Sequence, residues 1–417
     1  MRLIFEKRLD RSRTAEFFTP IVSLILALLA GAVLLVVAGA NPWETYKAMA
    51  IGAFGSRYSL SETLVKAIPL MLTGLGVSVA FRMLFWNIGA EGQLAMGGFA
   101  ASGVALFFPE LLPGLPVWTL LPLMFLAGFL AGAVWGLVPA VLKAFLNVNE
   151  IITTLMLNYV AILWVEYLFY GPWKDPHGYG FPGTAQFPEA AWLPRLSGRV
   201  HLGLMFAILA ALFLWLIMTR TQWGYEIRVI GENPRAARYA GISLARNILL
   251  VMLLSGGLAG LAGFGEVAGI SHRLQKGLTV GYGYTAIIVA WLAKLNPWGV
   301  LLVALLLAGL LVGGDQIQIT MGLPAAVALV LQGAILFFML GSDVFARYRV
   351  RIVRYTRAPT VAAPELFSSV QHASESVSQE ISEAANQRAL APPVRSGAGT
   401  DVGEQTTSNE QPATSNE

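Results

Sequence analysis

The chain has 417 residues, of which 56% are hydrophobic and only 12% charged, and its mean hydropathy is +0.64. Soluble domains carry roughly 25% charged residues, so a water-exposed globule is excluded and a polytopic membrane protein is the class that fits. Cysteine is absent, which removes thiolate metal sites, disulfides and cysteine nucleophiles.

Ten apolar runs are candidate spans of a ~30 Å hydrocarbon core. They cover residues 18–40, 64–82, 89–109, 117–142, 150–170, 201–218, 248–270, 281–296, 298–314 and 322–341. The eighth and ninth are short, parted only by Asn296-Pro297, and could form one hairpin. With the N-terminus inside, alternate loops collect eighteen basic residues, from Arg2 through Arg82, Lys143, Arg220, Arg235 and Arg246 to Arg357, against eight on the other side. That bias supports ten spans with both termini cytoplasmic. Ala38-Gly39-Ala40 resembles a signal cleavage site, but the first run is long for a signal core and Asp10 and Glu16 precede it, so a retained span is favoured. Gly128-Gly132-Gly136, Gly256-Gly260 and Gly309-Gly313, each at four-residue spacing, let helices approach closely. Pro69 and Pro139 predict kinks.

Polar residues inside the runs are costly and default to functional candidates. Asn87 and Glu91, one turn apart, are expected to share a helical face, with Gln93 pointing elsewhere. Either Asn87 caps the third span while Glu91 pairs with Arg82 to fix a re-entrant turn, or both touch a solute. Asn158 is interhelical glue or a contact for a passing base. Glu266 could hydrogen-bond sugar hydroxyls or pair with Arg273 or Lys276. Tyr282, Tyr284 and Trp291 open the eighth span as stacking faces or as ordinary interface aromatics. Glu150 and Asp315, at span ends, read as solvated.

The loop 219–247 between the sixth and seventh runs contains a short helix bounded at both ends. Asn233 is a good N-cap, Pro234 suits the first helical position, Arg235, Ala236, Ala237 and Arg238 favour helix, and Gly241 is a natural C′ residue. So short a helix is marginal alone, and small Ala236 and Ala237 would let a partner's groove approach. The competing reading is an interfacial helix lying on anionic lipid. After residue 357 the chain turns Ser/Glu/Gln/Ala-rich, with eight acidic residues against Arg388 and Arg395. Residues 1–357 are thus read as the membrane domain and 358–417 as a disordered acidic cytoplasmic tail.

Four segments carry a family resemblance. GENPRAARYAGI looks like the coupling helix of ABC importer permeases, and FRMLFWNIGAEGQLAMGGFAA closely resembles the N-x-G-x-E-G-Q signature of the nucleoside, simple-sugar and branched-chain amino-acid permease family. NEIITTLMLNYVA is similar to its nucleoside branch, and GYGYTAIIVAWLAKLNPWG is a fourth segment that resembles the family. The long tail departs from the family core. The resemblance implies an all-α polytopic permease in a prokaryotic plasma (inner) membrane. It would stand beside a second permease subunit, dock an ABC ATPase at Asn233–Arg238 and Gly241, and receive solute from an extracytoplasmic binding (lipo)protein. The chain has no phosphate-cradling GxxxxGK[ST], so no cofactor is expected on it and ATP would be used by the partner ATPase. Apart from these subunits the expected contact is membrane lipid, with no nucleic acid. Nucleosides are the implied solute, with simple sugars as the alternative, and Asn87, Glu91, Asn158, Glu266 and Tyr284 are the pathway candidates. A second class stays open, an ion-coupled secondary transporter with Glu91 or Glu266 as proton site. An intramembrane enzyme fails for want of a constellation: the four histidines are dispersed, and no paired carboxylates sit at a workable spacing.

Overall fold

A computed structural model describes residues 2–7, 13–111, 113–114, 116–324, 326–353 and 363–389. Its helices are α1 (Arg13–Val37), α2 (Pro42–Phe54), α3 (Arg57–Arg82), α4 (Ala90–Leu111), α5 (Leu120–Leu146), α6 (Glu150–Tyr170), α7 (Gly203–Arg220), α8 (Gln222–Glu232), α9 (Pro234–Tyr239), α10 (Leu244–Glu266), α11 (Tyr282–Leu292), α12 (Pro297–Met321), α13 (Ala326–Arg347) and α14 (Ala363–Ala389). Strands β1 (Arg2–Lys7) and β4 (Tyr348–Val353) pair, as do β2 (Arg195–Ser197) and β3 (Val200–His201).

Each of the ten expected runs falls on a helix, but they are not equal in length. Among the described residues seven helices are long and apolar enough to cross a membrane, or eight if α1 and α2, bent by 115°, count as one span. The eighth run is an eleven-residue half-helix, α11. It is bounded by Gly281 at φ 91° and by Lys294 and Leu295 at φ 51° and 59°. The ninth runs on through residue 321 as a helix of 25 residues. Pro69 and Pro139 lie within continuous helices α3 and α5.

Residues 5–349 form one compact unit. Its centre is α3, of whose apolar stretch 89% is buried, followed by α10 with 72%. Two of the expected glycine rows meet each other: a Cβ on Gly132 would lie 2.3 Å from the Gly256 carbonyl oxygen, and one on Gly260 would lie 2.2 Å from that of Gly128. Backbone thus lies on backbone where α5 crosses α10, the close approach that holds helices together without a hydrophobic drive. The third row packs elsewhere, Gly309 under the Phe54 ring and Gly313 against Met49, both on α2.

The smaller unit comprises residues 1–4 and 350–417. Disorder was expected over all of 358–417, yet α14 occupies 27 of those residues. Its Ala, Glu, Gln and Ser content lacks a core-forming face but has adequate helix propensity, and residues 370–383 are all exposed. Residues 358–362 and 390–417 lie outside the described residues, as do Arg8, Arg11, Arg354 and Arg357 of the basic flanks.

Candidate functional site

The signature segment forms a buried polar network where α4 begins. The chain leaves α3 through a turn with Leu84 at φ 60°, so Asn87 sits in a loop rather than on a helix. Its carboxamide exchanges two hydrogen bonds with Gln93, Nδ2 donating to Oε1 at 3.0 Å and Oδ1 accepting from Nε2 at 3.1 Å. It also donates to the Ser255 hydroxyl and accepts from Gly89 N–H, each at 3.0 Å. The expectation that Gln93 points away is therefore overturned: the fold-back of the loop brings the two amides face to face.

Glu91 does not pair with Arg82. Its carboxylate accepts from the backbone N–H groups of Gly281 at 2.8 Å and Gly283 at 2.5 Å, closing the N-terminus of half-helix α11, where unsatisfied donors and the helix dipole favour an anion. A Cβ on Gly283 would lie 2.2 Å from Glu91 N. Arg82 instead donates to the Leu295 carbonyl at 3.1 Å, at the other end of α11.

Asn158 on α6 completes the network. Its Oδ1 accepts from Gly92 N–H at 2.8 Å, and its Nδ2 donates to the Ile88 carbonyl at 2.8 Å and to the Tyr284 hydroxyl at 3.2 Å. Asn87, Glu91, Asn158 and Tyr284 are thus one constellation. The first three are buried at 0%, 1% and 0% exposure, whereas Tyr284 is 37% exposed. Glu266 is not part of it. It lies at the C-terminus of α10, just before a π-helical turn, Val267–Ser271, and pairs with neither Arg273 nor Lys276.

Glu150 and Asp315, expected to be solvated, are ion-paired. Glu150 accepts from Lys143 at 2.8 Å, and Asp315 from Lys66. At the end of α7 that carries β3, the segment 183–201 folds over α10 and the turn that follows it. Phe187 N–H donates to the His272 carbonyl and Leu193 N–H to that of Ala268, at 2.8 and 2.9 Å. Trp192 stacks on His272 with ring centroids 4.2 Å apart. Nothing in the sequence reading anticipates this cap; Phe187 and Trp192, large apolar residues in a span-connecting loop, were its one signal.

At the other end of α7 lie α8 and α9. Asn233 caps α9, its Oδ1 accepting from Arg235 N–H at 3.0 Å and Ala236 N–H at 3.1 Å. Pro234 opens the helix and Gly241 closes it at φ 76°, a left-handed position suited to glycine. Ala237 departs from expectation. It is fully buried against the chain's own core, so no partner's groove can reach it. The outward residues are Arg235, Ala236, Arg238 and Tyr239, the last 94% exposed. Helix α8 seats this element: Ile227 and Ile230 are buried, and a Cβ on Gly231 would lie 2.0 Å from the Arg82 carbonyl oxygen. Glu226 ties α8 to the start of α10, accepting from Asn247 at 2.7 Å and from Arg246 at 2.8 and 3.0 Å. These hydrogen bonds hold its carboxyl below the ordinary carboxylate range.

Comparison with known proteins follows the same residues. The family model described as the permease component of branched-chain amino acid transport systems matches residues 59–340. The chain is 39% identical to a glucose ABC transporter permease of Haloferax volcanii, over 83% of this chain and 94% of that one. It is 36% identical to a guanosine ABC transporter permease of Bacillus subtilis, over 82% and 96%. With a nucleoside ABC transporter permease of Lactococcus lactis the identity is 31%, over 79% and 92%. No solved structure matches.

Proposed function

Because the chain belongs to the family of permease components of branched-chain amino acid transport systems, we propose that it forms half of the translocation path of an ATP-driven importer for a neutral polar solute, a nucleoside before a simple sugar. The observation that carries this reading is its likeness, over about four-fifths of its length, to guanosine, nucleoside and glucose permeases. Guanosine and glucose carry no net charge, and both present adjacent hydroxyls on a sugar ring. The bundle suits such a solute, since its interior offers amides, hydroxyls and aromatic faces and few fixed charges.

In this reading the chain spans a prokaryotic plasma membrane ten times, counting half-helix α11, with both termini cytoplasmic. It binds no cofactor. A partner ABC ATPase docks on α9 through Arg235, Ala236, Arg238 and Tyr239, while Asn233, Pro234, Ala237 and Gly241 shape the helix that is docked. A second permease completes the path and an extracytoplasmic binding protein delivers the solute. Asn87, Glu91 and Asn158 act chiefly by holding the broken helix ends in place, since their polar atoms are committed within the chain. Tyr284 is the member of the network open to the path.

Competition in cells expressing the whole complex tests the reading. Uptake of labelled guanosine should be inhibited by unlabelled nucleosides and untouched by charged amino acids. Inhibition by charged amino acids alone would overturn it.

A further inference from the structure

Helix α8, which seats α9, rests on three long helices. On α7, a Cβ on Gly224 would lie 2.2 Å from the Ile217 carbonyl oxygen, and Arg228 donates to the Met218 carbonyl at 2.8 Å. On α10, Glu226 holds Arg246 and Asn247. The third footing is Gly231, where a Cβ would lie 2.0 Å from the carbonyl oxygen of Arg82, the last residue of α3. Through Arg82 this contact continues into the bundle, because its guanidinium donates to the Leu295 carbonyl at 3.1 Å. Leu295 belongs to the joint between α11 and α12. Lys294 and Leu295 stand there in succession at φ 51° and 59°, a left-handed conformation that side chains other than glycine adopt under constraint from their surroundings. Ring packing ties the same end of α11 to α3 a second time. The Phe81 ring centroid lies 6.1 Å from that of Trp291 and 5.1 Å from that of Trp86, and Trp86 stacks on Trp291 at 5.7 Å.

The three footings differ in what they can pass on. Helices α7 and α10 run unbroken away from theirs, so a movement of α8 there has to shift a whole span. At Arg82 it meets a joint and a short helix instead. The eleven residues of α11 extend about 16 Å, and their other end carries the Glu91 closure and the Tyr284 hydroxyl bonded to Asn158. A hydrogen-bonded helix so short moves as one piece between packed neighbours, and a shift at Leu295 is delivered to Tyr284. We infer that Arg82 is the positioning residue through which movement of the ATPase on α8 and α9 reaches half-helix α11. The inference rests on the importer reading, in which an ATPase docks on α9, and deepens it by naming the element that the ATPase moves.

The test uses the complete importer in proteoliposomes, with ATP hydrolysis and uptake of labelled guanosine and labelled glucose measured on one preparation. Arg82→Met keeps the apolar stem and removes the donors. It should leave ATPase co-purification, and hydrolysis without binding protein, within about twofold of wild type, while solute moved per ATP falls about tenfold. Arg82→Lys, which keeps a donor on a flexible stem, should restore most of that ratio. Gly231→Ala works from the other side: its Cβ would push α8 off the Arg82 carbonyl and leave the guanidinium bond in place, and it should lower the same ratio. A merely structural tie acts differently, lowering the amount of assembled complex so that uptake and hydrolysis fall together. An unchanged ratio in Arg82→Met therefore overturns the coupling role and leaves the importer reading standing. Should Arg82→Met fail to assemble, Gly231→Ala decides, and an unchanged ratio or a second failure to assemble overturns the role. A wild-type complex that moves neither solute with ATP overturns the importer reading and the coupling with it.

Discussion

The carboxylate of Glu91 ties the start of α4 to the start of α11 inside the bundle. It satisfies the Gly281 and Gly283 N–H groups, donors that have no water to turn to inside a bundle. Replacing it by leucine should strip both and cost about 3 kcal/mol, while Glu91→Gln, which keeps one acceptor oxygen, should cost roughly half that. Thermal melting of the detergent-solubilised complex checks this, with the leucine variant melting lowest; an unchanged melting temperature for Glu91→Leu would count against it. The sequence marked Glu91 as significant through its position in an apolar run, but could not supply its partners. They are backbone groups of residues 190 and 192 positions away, and backbone donors leave no side-chain signal. The pairing of Asn87 with Gln93 was hidden for a related reason: a helix was expected from Asn87 onward, and the turn at Leu84 reverses the geometry.

At the scale of elements, α9 was legible almost residue by residue. Its cap, its first-turn proline and its closing glycine are local signals, and local hydrogen bonds honour them. Which face looks outward was not legible, because that depends on α8, whose own apolar row at Ile227 and Ile230 settles onto α3 and brings Ala237 inward. Opposite outcomes follow for neighbouring residues. Ala237→Asp would bury an unpaired charge and should lower the yield of inserted chain several-fold. Tyr239→Ala should leave yield unchanged and reduce co-purification of the partner ATPase. Membrane-fraction yield and pull-down, measured together, separate the two. Normal insertion of Ala237→Asp, or undiminished ATPase with Tyr239→Ala, would contradict this arrangement. Helix α2 and the cap over His272 escaped the sequence reading because both are too short to show as spans and are stabilised by long-range packing.

For the whole molecule, composition alone decides the membrane class, and hydropathy locates every helix that is long and apolar enough to cross a membrane among the described residues, though not the polar α14. Length does not decide the number of crossings, since α11 has only eleven residues and its N-terminus is closed by the Glu91 carboxylate. That construction suits a subunit whose energy source lies elsewhere, as proposed: Asn87, Glu91 and Asn158 are tied within the chain, and the exposed face of α9 is the surface on which the proposed ATPase would dock. The most direct measurement is uptake of labelled guanosine into proteoliposomes holding the chain with its partner permease and ATPase, the binding protein being supplied on the face opposite α9. The expected result is accumulation that requires ATP on the α9 side and is lost when the ATPase is left out. Uptake by the chain alone that follows an imposed proton gradient and ignores ATP would contradict it.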